Sequence, residues 1–93
     1  MTIQAFKCQD TQALFETGTT RRFRVFQQVA ERKLQQLDAA MELSDLRSPP
    51  GNRLEALAGD RAGQCSIRIN AQWRVCFMWT DRGPDQVEIV DYH

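Results

Sequence analysis

The final third of the chain changes its side-chain period. In QCSIRIN, residues 64–70, Cys65, Ile67 and Ile69 alternate with Ser66, Arg68 and Asn70. In WRVCFMWT, residues 73–80, Trp73, Val75, Phe77 and Trp79 alternate with Arg74, Cys76, Met78 and Thr80. In DQVEIVDY, residues 85–92, Val87, Ile89 and Asp91 face one way and Glu88, Val90 and Tyr92 the other. A period of two belongs to a strand buried on one face. Short turns between such runs, the second of them DRGP, join them into an antiparallel meander. Three such runs present an apolar face that something else in the chain must cover.

The cover comes from upstream. TIQAFK, residues 2–7, reads as a short first strand with Ile3 and Ala5 on one face. Asp10 is placed to cap a short helix over TQALFET, to which Leu14 and Phe15 are the apolar contribution, and Gly18 ends it in the left-handed region. Phe23, Phe26, Ala30, Leu34, Leu37 and Met41 then recur at spacings of three and four, the stripe of a longer helix capped by Thr19 or Thr20. SPPGN, residues 48–52, is a loop and GDRAG, residues 59–63, a turn. NRLEALA is a short strand or an extended connection. The expectation is a single α+β domain over residues 1–93. It has two layers: an N-terminal strand, and two helices packed on the Trp73/Phe77/Trp79 face of a mainly antiparallel sheet. The other face, with Ser66, Arg68, Asn70 and Arg74, is expected to stay partly open.

Composition excludes several classes of function. No apolar run is long enough to cross a membrane. The opening MTIQAFKCQD lacks the pattern of a signal peptide, so a cytoplasmic location is expected. Cys8, Cys65 and Cys76 form no C-x-x-C pair, and with one histidine the chain offers no metal site; the thiols read as small buried hydrophobes. Twelve basic and twelve acidic residues cancel to a net charge of zero. The distribution is uneven, however. Arg21, Arg22, Arg24, Arg32 and Lys33 fall in one stretch opposed by Glu31, while Asp81, Asp85, Glu88 and Asp91 crowd the end against Arg82. A cancelled total can hide a basic face.

No glycine-rich phosphate loop or G-x-S-x-G element is present. One histidine also excludes a two-histidine ribonuclease mechanism. Arg74 follows Trp73 directly, so a core indole sends the guanidinium to the open face. There its forked donors suit a phosphate, or equally a structural salt bridge to a carboxylate. Tyr92 and His93 are the only tyrosine and histidine, and they are adjacent.

Three elements together carry a resemblance: L-x-x-L-x-G-D-R at 54–61, Q-W-R-V-x-F at 72–77 and D-Y-H at 91–93, with FETGTTRR fitting a helix–glycine–helix junction. With LEALAGDRAGQCSIRINAQWRVCF around the first two, the chain resembles the HigB-type toxins of bacterial type II toxin–antitoxin modules, in the RelE/ParE-like superfamily, over nearly its whole length. The resemblance implies a RelE-like fold and a ribosome-dependent endoribonuclease that cuts mRNA in the ribosomal A site. The ribose 2′-OH attacks the adjacent phosphate, with no metal or other cofactor. It further implies a helix-turn-helix (HigA-type) antitoxin, through which alone operator DNA is bound. Carried onto this chain, it makes Arg74 the holder of the scissile phosphate. Tyr92 becomes an acid, a base or a stacking platform, His93 a proton carrier, and Asp91 an orienting group. Arg53, Arg61, Arg68 and Asn70 become RNA contacts. Arg21, Arg22 and Arg24 are assigned to the antitoxin from charge alone.

The departures are specific. Members commonly carry a histidine and a lysine in the stretch matching Glu55 and Ala58, and a basic residue near Asn70. Losing cations from such a site weakens transition-state stabilisation, so a slow enzyme and a weak toxin are expected. A non-catalytic toxin that binds ribosomal or ribosome-assembly RNA is the alternative. A ParE-like topoisomerase poison fits the Asp-Tyr-His element less well, and a plain structural domain leaves the matched motifs unexplained.

Overall fold

The computed structural model describes residues 2–91. The chain forms α1 (Gln9–Thr17), α2 (Gln27–Ala39), β1 (Glu55–Ala56), β2 (Cys65–Arg68), β3 (Trp73–Thr80) and β4 (Gly83–Asp91). The strands make one antiparallel sheet in the order β1-β2-β3-β4. The helices lie on one face of it, in the α+β arrangement the alternation called for.

The inner face is built by the residues the period-two runs nominate. Ile67, Val75, Phe77, Val87 and Ile89 are buried together with Leu14, Phe23, Ala30, Leu34 and Leu37 of the helical side. Trp73 and Trp79 pack against the rim of this core. Phe23 meets Trp73 edge-on at 5.8 Å between ring centroids, and Phe26 meets it at 5.2 Å. The buried Thr11 hydroxyl of α1 accepts the Ile89 N–H of β4 at 3.0 Å, tying helix to sheet.

One irregularity decides which residues of β4 face outward. Cys76 pairs with Glu88 and Met78 with Asp85, so Phe77 alone opposes both Gln86 and Val87. Gln86 takes φ +50° to absorb the extra residue. The bulge keeps Val87 and Ile89 in the core and sets both Asp85 and Glu88 on the outer face.

Several local expectations shift. TIQAFK runs parallel to β4, through Gln4 N–H to Pro84 O and Lys7 N–H to Val87 O, but forms one isolated bridge, Phe6 with Val87, instead of a continuous strand. It borders the bulged stretch of β4, where a regular ladder cannot form. Cys8, not Asp10, precedes α1, and Asp10 lies in the first turn. Thr20 Oγ1 does accept the Phe23 N–H, but it closes a turn; a 3-10 turn at Arg24–Phe26 follows, and α2 starts only at Gln27. Phe23, which precedes this 3-10 turn, and Phe26, its last residue, both pack on Trp73. Ala40 is extended, so Met41 lies beyond the helical stripe and is 66% exposed.

The outer face is not open at its centre. The segment from Leu43 to Arg61, with 3-10 turns at Leu43–Arg47, Pro50–Asn52 and Gly59–Arg61, folds over it and buries Ser66, Arg74 and Cys76. Asn52 anchors that segment. Its fully buried amide donates to Gln36 Oε1 (3.2 Å), Leu46 O (3.1 Å) and Ser48 O (3.2 Å), and its Oδ1 accepts from the Lys33 ammonium. Desolvation, followed by the nearby Arg32 charge, holds the Lys33 pKa below the usual lysine value. The unfolded chain therefore binds this proton more tightly. Lys33 ionisation opposes folding at neutral pH, and the opposition fades as pH rises toward the ordinary lysine range.

Asn52→Ala leaves a buried ammonium and two backbone carbonyls without this partner. It should cost about 2–3 kcal/mol and lower the melting temperature by on the order of 10 °C. Urea titration should show an earlier midpoint at unchanged slope. A loss below about 0.5 kcal/mol, the range of an ordinary surface change, would show that Asn52 does not anchor the segment.

Candidate functional site

β2, β3 and β4 place a row of polar and charged side chains on the outer face. Arg74 is its most constrained member. Its residue is 9% exposed. Nε donates to Ser66 Oγ at 2.7 Å, and Nη2 donates to Arg53 O at 2.6 Å and to Ser66 O at 3.4 Å. Glu55 Oε1 stands 3.8 Å from Nε. The guanidinium is thus on the outer face, with the carboxylate neighbour that the salt-bridge reading calls for.

Arg53 reaches this centre through its backbone. It adopts a left-handed conformation (φ 45°, ψ 53°) at the end of the Pro50–Asn52 turn, which aims its carbonyl at Arg74, while the residue itself is exposed. Arg68 lies directly opposite Arg74 in the β2–β3 register. Two like charges on facing positions repel. Arg68 Nε relieves part of this by donating to Asn70 O at 3.1 Å. Asn70 itself shapes the β2–β3 turn, its Oδ1 accepting from the N–H groups of Gln72 and Trp73 at 2.8 Å each.

Arg61 arrives from the Gly59–Arg61 turn and pairs with Glu88 at 3.0 Å, while also donating to Gln64 Oε1 at 3.1 Å. Lys7 approaches the same carboxylate oxygen at 3.8 Å. Cys76, fully buried, sits amid these charges. Burial is the main force raising its thiol pKa; Arg61 and Arg74 pull it down, and Glu88 and Glu55 push it up. Burial also raises the Cys65 thiol.

The remaining candidates lie elsewhere. Asp91 pairs across the ladder with Trp73, so alternation puts it on the face opposite Arg74, and it accepts from Gln72 Nε2 at 2.9 Å. Arg22 pairs with Asp10 at 3.6 Å and stacks 5.2 Å from the Phe23 ring centroid and 5.7 Å from that of Trp73. Arg21 and Arg24 are exposed, and Val25, next to Arg24, is 99% exposed. Tyr92 and His93 lie outside the described residues. Among the described residues no group of three or more His, Cys, Asp or Glu side chains could hold a metal ion, and no helix is long and apolar enough to cross a membrane.

Sequence reasoning missed Asn52, and it named Ser66 only as a face residue. The signal for Asn52 was a lone amide after two prolines and a glycine, which reads equally well as loop chemistry. It also missed the roles of Glu55 and Glu88 as internal counterions, which depend on the register.

The structure defines a small two-layer α+β domain whose outer sheet face carries two arginines at facing positions of neighbouring strands. The chain belongs to the HigB-like toxin family, described as the RelE-like toxin of the type II toxin–antitoxin system HigB, whose model matches residues 4–93. Toxin HigB-1 of Vibrio cholerae serotype O1 is 60% identical over 50 residues, 54% of this chain. The match spans about half (53%) of that relative's length. Endoribonuclease HigB of Proteus vulgaris is 34% identical over 94 residues, covering 98% of this chain and 99% of that protein. An uncharacterised Haemophilus influenzae protein is 41% identical over 51 residues, half of its own length (50%).

Burial and raised pKa should together slow or block two of the three thiols. At pH 7.5 Ellman's reagent should label Cys8 promptly, Cys65 slowly, and Cys76 only after denaturation. Because the raised pKa values keep Cys65 and Cys76 as thiols at this pH, raising the pH should accelerate Cys65 labelling over a range above that of an ordinary thiol. Prompt native labelling of Cys76 would contradict the covered outer face.

Proposed function

We propose that this toxin inhibits translation as an endoribonuclease that cuts mRNA in the ribosomal A site, restrained by a helix-turn-helix (HigA-type) antitoxin. The observation that carries the reading is the Arg74–Arg68 pair on facing strands, one guanidinium buried and fixed by Ser66 and the Arg53 carbonyl. A preorganised cation of this kind suits a phosphate whose charge builds in the transition state. Family membership and the name of the Proteus vulgaris relative, an endoribonuclease, support the same chemistry.

In the proposed reaction the 2′-oxygen attacks the adjacent phosphorus and the bond to the 5′-oxygen breaks. The 2′-OH proton leaves to a base, and a proton is delivered to the departing oxygen. Tyr92 and His93, which follow β4 in sequence, are the proposed proton carriers, with Asp91 beside them to orient. Arg74 neutralises the phosphorane oxygens. Arg53, Arg61 and Arg68 contact flanking phosphates, and Asn70 holds the turn that presents Arg68. A metal or other cofactor has no part in this scheme. Action on ribosomes places the toxin in the cytoplasm. The exposed Arg21, Arg24 and Val25, with Arg22, form the proposed antitoxin contact, and operator DNA is reached through the antitoxin.

One observation favours binding without cutting. Arg74 is 9% exposed and already bonded, so RNA must displace internal partners to reach it. The two readings separate in translation of a defined mRNA on purified ribosomes, with new 5′ ends mapped by primer extension. Cleavage at A-site codons should fall by about 100-fold or more in Arg74→Ala, and the ends should vanish in Tyr92→Phe. Ribosome binding without new ends would establish the non-catalytic reading. Unchanged cleavage by a folded Arg74→Ala would remove Arg74 from the mechanism.

A further inference from the structure

One row of residues crosses the outer face of the whole sheet. Glu55 partners Ser66, Ser66 partners Cys76, and Cys76 partners Glu88. The row therefore has a carboxylate at each end and two fully buried uncharged side chains between them. Glu55 stands beside Arg74 and Glu88 beside Arg61, two cations that the proposed function assigns to RNA, and Glu88 also neighbours Lys7. Arg74 Nε lies 3.8 Å from Glu55. Arg61 lies 3.0 Å and Lys7 3.8 Å from Glu88.

A carboxylate and a phosphodiester offer a guanidinium the same thing, a pair of anionic oxygens matched to its fork. We propose that Glu55 and Glu88 set the affinity of this face for RNA by occupying, as internal anions, the cation positions that incoming phosphates must take. The inference rests on the reading that this face binds RNA. Binding then becomes an exchange of one anion for another. The condensed counterions sit on the RNA phosphates, and a carboxylate freed beside an incoming phosphate retains cations there, so each exchange forfeits part of the counterion release that drives nucleic-acid binding.

The two ends differ. The Glu55 side chain is 47% exposed on the two-residue edge strand β1, so it can swing into solvent when phosphate arrives. The Glu88 side chain is 16% exposed and gathers two cations, so it is displaced less readily. Replacing Glu88 should therefore have the larger effect.

The test measures fluorescence anisotropy of a labelled single-stranded 2′-O-methyl RNA oligonucleotide, which lacks the attacking hydroxyl and cannot be cut. The full chain is compared as wild type, Glu55→Gln, Glu88→Gln and Glu16→Gln. Glu16 lies on α1 in the helical layer and donates nothing to the outer face, so the last variant makes the same charge change elsewhere. At low salt Glu55→Gln should bind about threefold tighter and Glu88→Gln about fivefold tighter, the scale of a surface ion pair. The salt dependence should steepen by about 0.7 in log–log slope for each cation released. Glu16→Gln should bind as wild type. Glu55 is exposed enough that its variant should keep the wild-type melting temperature, so it decides the matter even if Glu88→Gln is unstable.

Equal binding by wild type and Glu55→Gln overturns the inference and leaves the RNA-binding reading standing. An equal gain in Glu16→Gln assigns the effect to net charge and also overturns it. Absence of binding by all four proteins overturns the inference, and the reading beneath it is then decided by the A-site cleavage assay.

Discussion

A guanidinium cannot shed its charge to enter a protein interior. Burying Arg74 therefore obliges the fold to bring oxygens to it, and much of the molecule is arranged around that demand. Ser66 supplies a hydroxyl and a carbonyl from the neighbouring strand. The Arg53 carbonyl comes from outside the sheet, across 21 residues of sequence. It reaches Arg74 because Arg53 takes a left-handed turn at the end of a segment that Asn52 pins to α2. An amide buried among Lys33, Gln36 and two carbonyls thus acts at a distance on the charge at the centre of the outer face. Removing one polar partner from such a network costs more than the mean value of a hydrogen bond, because the remaining groups stay desolvated.

The bulge in β4 serves the same face. With a regular register from Glu88 to Gly83, Asp85 would share a side with Val87 and Ile89 and point at the helices. One extra residue, opposite Phe77, turns Asp85 outward and leaves the apolar residues inside. The sheet thus keeps a dry inner face of Ile67, Val75, Phe77, Val87 and Ile89 while its outer face carries alternating charge. The distribution also suits Cys76, whose thiol stays protonated because burial outweighs the two arginines beside it.

The sheet was legible because period-two alternation reports directly on burial, and Ile67, Val75, Phe77 and Ile89 lie where the alternation puts them. The helical stripe was legible from Phe23 to Leu37 but not its continuity. The turns at 21–26 coincide with the packing of Phe23 and Phe26 on Trp73, a contact between positions some 50 apart that no local pattern contains. The outer face was expected to be partly open because alternation says which side a residue faces, not what folds over that side. The cover comes from SPPGN and GDRAG, stretches whose proline and glycine content signals only that regular structure stops. Arg74 was therefore placed on the right face and in the wrong solvent environment.

Zero net charge is hard to reconcile with the proposed action on ribosomes if charge is counted, and easier if it is located. Arg61, Arg74 and Lys7 lie close to carboxylates, so to a distant polyanion the outer face is weakly charged. At contact the balance changes, since Glu55 sits on an exposed two-residue edge and can yield its place. Long-range steering and short-range grip are then separate properties of one surface. Steering follows the screened sum of charges and falls off beyond a Debye length of about 8 Å at physiological salt. Grip follows the geometry of one fixed guanidinium. Under the proposed function, a toxin built this way would gain little from diffusional attraction to bulk RNA and would depend on delivery to a site that already holds a phosphate against Arg74, as a ribosomal A site would.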